Sequence, residues 1–242
     1  MDSSNGNIVL EVWQRATTTQ AAPSGNVIAL TAVLAAVLVW APRAWPLTRH
    51  VVTIAHEAAH GLVALLSGRR LHGIRLHSDT SGVTVSAGRT TGPGMILTTA
   101  AGYVGPGLLG LAAAALLAHH RALGLLWALL ILLALVLIQV RNWFGLWSIL
   151  FSAAVVFGVS WWLEPQMQSA FAYSLTWFLL LAAPRPVLEL AGARRGDGGM
   201  TSDADQLARL TWLPAIVWVG FFLVVTVGAL ALGASWIVGA AA

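Results

Sequence analysis

Long apolar stretches separated by short polar breaks make up most of the chain: residues 27–41, 51–67, 95–118, 122–140, 143–163, 167–183 and 212–238. A helix needs roughly 20 apolar residues to cross hydrocarbon, so the pattern predicts an all-α polytopic membrane protein with six to seven transmembrane helices. The first stretch is short and ends at Pro42 and Pro46. The sixth is closed by Pro184 and Pro186, so either of these two could be re-entrant.

Between the second and third stretches the period changes. Ile74/Leu76 and Val83/Val85 alternate with polar positions around the turn-forming run Ser78-Asp79-Thr80-Ser81-Gly82, which predicts a short β-hairpin. Such a hairpin could offer an edge to an extended peptide, or it could be a plain polar connector. Residues 1–26 form a polar N-terminal segment without the pattern of a cleavable signal peptide, so the first span is expected to stay attached. Residues 27–242 read as one membrane-embedded domain.

Composition agrees with the pattern. Of 242 residues 58% are hydrophobic and 9% charged, well below the charge content of a soluble domain. The absence of cysteine excludes disulfides, thiolate metal sites and cysteine nucleophiles. All thirteen basic residues are arginine and form no basic patch interleaved with aromatics, so nucleic acid is not an expected partner. Seven alternating crossings would put ten arginines on the face of the N-terminus and the hairpin, and Arg43, Arg49 and Arg121 on the other. That bias predicts a cytosolic N-terminus, a cytosolic-side hairpin and an outer C-terminus.

His56-Glu57-Ala58-Ala59-His60 lies inside the second stretch. Residues four apart share a helix face, so His56 and His60 can present two imidazoles to one metal ion while Glu57 acts on a water beside it. Polar packing is the bland alternative. Three ionisable groups in five membrane residues would then each carry a cost of several kcal/mol with no shared purpose. His60 would sit about 12 Å from the helix end at Gly68, at roughly 1.5 Å per residue. A catalytic zinc takes three protein ligands and leaves one position open, so a further group is required.

Other polar motifs have simpler readings. Ala101-Gly102-Tyr103-Val104-Gly105-Pro106-Gly107 suits close helix packing, and Ser202 with Asp205 has capping-box spacing for a helix start. His72 and His77 read as loop residues, His50 as an interfacial residue and His119-His120 as a solvated turn.

The chain resembles the site-2-protease family of intramembrane zinc metalloproteases, in particular its small bacterial branch without a PDZ domain. The matching text is His-Glu-Ala-Ala-His-Gly-Leu-Val-Ala-Leu-Leu-Ser-Gly at 56–68, Asp79-Thr80-Ser81-Gly82, Ala-Gly-Tyr-Val-Gly-Pro at 101–106, Arg-Asn-Trp-Phe-Gly at 141–145 and Ser-Asp-Ala-Asp-Gln-Leu at 202–207. The resemblance implies one Zn2+ held by His56 and His60, Glu57 as general base, a membrane-anchored protein as substrate and a bacterial-type cell membrane. Better-known branches supply the third ligand from a Leu-Asp-Gly motif, which this chain lacks. The candidates are Asp203, favoured by the Ser-Asp-Ala text, then Glu189, Asn142 and Asp205. Two other readings compete with an endopeptidase: a catalytically silent scaffold or chaperone of the same fold, and a metal-ion transporter, which would favour ligands spread over several spans.

Overall fold

Prolines set the helix boundaries, because each lacks an N–H and fits only the first turn of a helix or a break. A computed structural model describes residues 3–194 and 202–240. They form α1 (Ser3–Thr17), α2 (Gly25–Trp40), α3 (Trp45–Leu66), β1 (Arg70–Leu76), β2 (Gly82–Ala87), α4 (Pro93–Ala118), α5 (Ala122–Gln139), α6 (Trp143–Trp162), α7 (Pro165–Ala182), α8 (Pro184–Ala193), α9 (Asp203–Thr211) and α10 (Ala215–Gly239). Pro46, Pro93, Pro165 and Pro184 each stand in the first turn of their helices.

The molecule is an all-α, multi-pass membrane protein with one small antiparallel hairpin. α4, α5, α6, the continuous stretch Pro165–Ala193 and α10 are each long and apolar enough to cross a bilayer. α2 and α3 meet at 98° and satisfy the same criterion as one broken span, which makes six. Six, the lower of the two expected numbers, therefore follows when the first two apolar stretches are a single bent passage.

That bend corrects the expected path of the chain. The N-terminal segment and the hairpin do not share a face. Gln20 N–H donates to the His120 carbonyl at 2.8 Å, Gln20 Nε2 donates to Gln168 Oε1 at 3.0 Å, and Arg121 donates to the Thr17 carbonyl. His120, Arg121 and Gln168 lie at the α4–α5 turn and the start of α7. The hairpin lies at the other end of the bundle, where Ser67 meets Gly94 at the start of α4. α1 itself is a helix that the polar composition of residues 1–26 did not announce.

Pro184 and Pro186 do not close the sixth stretch into a loop. They start α8, so the stretch between the sixth and seventh apolar segments holds a helix before the one expected at Ser202; its residues 195–201 lie outside the described residues. α9 opens on the predicted capping box: the Asp205 N–H is donated to Ser202 Oγ at 3.4 Å and Ser202 N–H to Asp205 Oδ2 at 3.1 Å.

Three apolar clusters fix the assembly. Val39, Trp45, Leu117, Leu126, Tyr173 and Leu180 join α2, α3, α4, α5 and α7. Val187, Ala204, Leu207 and Phe222 clamp α8 and α9 onto α10. Ile54, Ile74, Leu76 and Ile149 seat the hairpin against α3 and α6. β1 begins at Arg70, earlier than the sequence pattern indicated, and a register shift between Leu71 and Gly73 marks a bulge. Gly68, at φ +72°, makes the left-handed turn that ends α3, with the Arg69 N–H donated back to the Ala64 carbonyl at 2.9 Å.

Candidate metal centre

His56 and His60 stand one turn apart on the α3 face that packs against α4. Their Nε2 atoms are 3.1 Å apart. Asp203, the first residue of α9, brings Oδ2 to 3.3 Å from His56 Nε2 and 3.2 Å from His60 Nε2. Among the described residues these three are the group able to hold a metal ion.

Several observations test whether a metal fits. His60 Nδ1 lies 2.7 Å from the Thr98 carbonyl, which can only accept, so Nδ1 carries a proton and the neutral ring keeps its lone pair on Nε2, the atom that faces Asp203. Asp203 Oδ2 is buried and has no hydrogen-bond donor. Lone pairs converging this closely repel one another unless a cation lies between them. Tetrahedral ligands at roughly 2.0–2.1 Å from zinc stand about 3.3 Å apart, close to the separations found. The donor set of two imidazoles and a carboxylate also suits zinc.

The walls are built to leave room. A methyl group on Gly102 would lie 2.3 Å from His60 Nε2 and 2.5 Å from His56 Nε2. Gly105 meets Ala59, where a methyl group would come within 2.3 Å of the alanine Cβ, so the Ala59 methyl of α3 packs directly on the α4 backbone. Tyr103 sets its ring edge-on to His56 at 5.0 Å and stacks on Phe222 at 5.0 Å, so α10 braces the His56 imidazole through α4.

Glu57 is 5% exposed and points toward the hairpin. Thr84 Oγ1 donates to Glu57 Oε2 at 2.6 Å. Gly82 packs on the same carboxylate, and a methyl group there would fall 2.7 Å from Oε1. Thr84, Gly82, Thr98, Gly102 and Tyr103 were not expected to serve the site from sequence. The one signal for Thr84 was its place between Val83 and Val85, which turns it to the opposite face of the strand.

The remaining candidates for the third ligand are engaged elsewhere. Glu189 accepts from Trp45 Nε1 at 2.8 Å and pairs with Arg185 and Arg49. Asn142 is bonded to both backbone groups of Leu76, at 3.1 and 2.6 Å. Asp205 caps α9 and pairs with Arg194 at 2.6 Å. Of the histidines expected in loops, His72 lies in β1 and His77 at the hairpin turn.

The Peptidase M50B-like family model matches residues 29–233. The chain belongs to the site-2-protease family. No curated protein and no solved structure gives a significant match. At the level of the family, this chain is a site-2-protease-like intramembrane metalloprotease, and the matched region runs from α2 to α10, taking in every residue of the site described above.

Proposed function

We propose that the protein is a zinc-dependent endopeptidase that hydrolyses a peptide bond in or near the transmembrane segment of a membrane-anchored protein. The observation that carries this reading is the convergence of His56, His60 and Asp203 within 3.3 Å of one another, with Glu57 adjacent in sequence. His56 and His60 through Nε2, and Asp203 through Oδ2, would hold the ion. Bound zinc supplies Lewis acidity, polarising the scissile carbonyl and making a water at the site more acidic.

The chain's own residues do the rest. Glu57 takes a proton from the attacking water as its oxygen adds to the carbonyl carbon, and returns that proton to the amine as the C–N bond breaks. Thr84 occupies Oε2, which leaves Oε1 for the proton transfer. Gly82 keeps the space before Oε1 free of side chains. The Thr98 carbonyl fixes the His60 ring. The site is not sealed by the chain, since the His56 side chain is 22% exposed and that of Asp203 18%, and the hydrolysis needs that opening to admit water. A substrate helix hides its amides in internal hydrogen bonds, so it must unwind locally before attack, and glycine or proline in the substrate favours this.

The hairpin end of the bundle carries Arg69, Arg70, Arg75, Arg89, Arg141, Arg194 and Arg209, whereas the opposite end carries Arg15 and Arg121; Arg43, Arg49 and Arg185, at the α2–α3 bend and the starts of α3 and α8, belong to neither group. This asymmetry supports a cytosolic hairpin and metal centre in a bacterial-type cell membrane, and hence an N-terminus on the outer side.

The test is cleavage of a membrane-anchored reporter by the purified full chain in nanodiscs. Glu57→Gln is expected to abolish cleavage and keep near-stoichiometric zinc, and His56→Ala/His60→Ala to lose both. An equally active Glu57→Gln protein would overturn the reading.

A further inference from the structure

Away from the metal centre, the outer side of the hairpin holds a small basic cavity of about 110 Å³, lined by His72, Gly73, Arg75, Val85 and Arg141. Three of its five residues are cationic or can become so, and none is acidic. Among the described residues no carboxylate pairs with Arg75 or Arg141, although other arginines of the chain do find acidic partners.

The cavity is assembled by the fold. The bulge between Leu71 and Gly73 adds a residue to one strand and re-aims His72. Gly73, at φ +148°, has no Cβ; a methyl group there would lie 2.3 Å from Arg141 Cγ, so glycine alone admits the arginine stem. Arg141 N–H donates to the Ile74 carbonyl at 2.9 Å, and its guanidinium donates to the carbonyls of Ile138 and Val140 at 2.7 and 3.0 Å. Those bonds occupy Nη1 and leave other guanidinium N–H groups free to donate.

Two further features surround the cavity. Ile131, Leu135 and Ile138 recur at helical spacing on α5 and are 61%, 55% and 64% exposed, forming an apolar stripe that ends beside Arg141. Trp143 and Trp147, also exposed, begin α6 just past it, and exposed tryptophan marks the level of lipid headgroups. A cationic cavity at headgroup level, standing at the end of an apolar stripe, matches the phosphate and acyl chain of one amphiphile.

We infer that His72, Arg75 and Arg141 form a binding site for the phosphate of an anionic phospholipid, whose acyl chain lies along Ile138, Leu135 and Ile131. The stripe argues for a lipid phosphate over a soluble one. The site does not depend on the proteolytic reading, because its ligand is recognised without the metal centre.

Native mass spectrometry of the full chain released from mixed nanodiscs of phosphatidylglycerol and phosphatidylcholine tests the site. The expected result is preferential retention of phosphatidylglycerol, falling roughly tenfold in Arg75→Ala/Arg141→Ala, since each arginine near an anionic surface contributes on the order of a fewfold in affinity. Arg75→Lys/Arg141→Lys, which keeps the charge, is expected to retain most of the preference and so guards against misfolding. Arg89→Ala/Arg209→Ala removes equal charge from the same face and is expected to change nothing. Equal retention of the two lipids, an equal loss in the Arg89/Arg209 variant, or displacement of the lipid by equimolar inorganic phosphate would each overturn the assignment.

Discussion

Thr84 on the hairpin holds Glu57 on α3: its hydroxyl lies 2.6 Å from Oε2 and 3.0 Å from the Glu57 carbonyl oxygen. A residue 27 positions away thus orients the carboxylate that stands between His56 and His60 in sequence, and seating of the hairpin and geometry of the site become one problem.

Replacing Thr84 with Val removes that donor while keeping the shape. A hydrogen bond to a charged group is worth about 1.5–3 kcal/mol, so the expected fall in kcat is roughly tenfold to a hundredfold. KM and zinc content should be unchanged, and Thr84→Ser should restore most of the rate. Steady-state cleavage of a reporter, with metal analysis of the same samples, measures all three.

Gly102→Ala places a methyl group within 2.5 Å of both imidazole Nε2 atoms. Zinc content by elemental analysis is expected to drop well below stoichiometric. Gly228→Ala, where an added methyl meets nothing within 4 Å, is the matched control and should keep its zinc.

Asn142 and Asp203 separate hairpin support from metal binding. Asn142→Ala strips the partners from the Leu76 N–H and carbonyl, and Leu76 is 3% exposed, so a cost of about 1–3 kcal/mol per orphaned group falls on the hairpin. Faster hydrogen exchange over residues 70–87 with zinc retained is expected. Asp203→Ala should do the reverse, losing zinc and leaving hairpin exchange unchanged.

The hairpin tip has its own pH dependence. Ser81 donates its hydroxyl and its N–H to Asp79 Oδ1, at 2.6 and 3.0 Å, and these bonds hold the Asp79 carboxyl below its ordinary range. A depressed folded pKa means the turn is favoured above the ordinary carboxylate pKa of about 3.9 and loosens as pH falls through the lower folded value. An NMR titration of Asp79 should show the depressed midpoint, and Ser81→Ala should move it back up.

The parts legible in the chain were those set by local spacing. Apolar length marked the spans, the spacing of four placed His56 and His60 on one face, alternation marked the hairpin, and Ser202 with Asp205 marked the start of α9. The 98° bend between α2 and α3 was not legible, because Pro42 and Pro46 announce a break but not its angle. Asn142, considered as a ligand, instead clamps Leu76; an amide next to a span end reads the same in either role.

Sequence by itself determined a multi-pass helical membrane protein with two imidazoles and a carboxylate on a single turn, because helical period fixes which neighbours share a face. Only the tertiary structure decided that Asp203 joins the histidines while Glu189, Asn142 and Asp205 are engaged elsewhere, and that Thr17 and Gln20 pack at the end of the bundle opposite the hairpin. Those outcomes depend on how Leu207 and Ala204 dock α9 onto α10 and how the chain bends before Trp45, and such long-range packing leaves no periodic trace among adjacent residues.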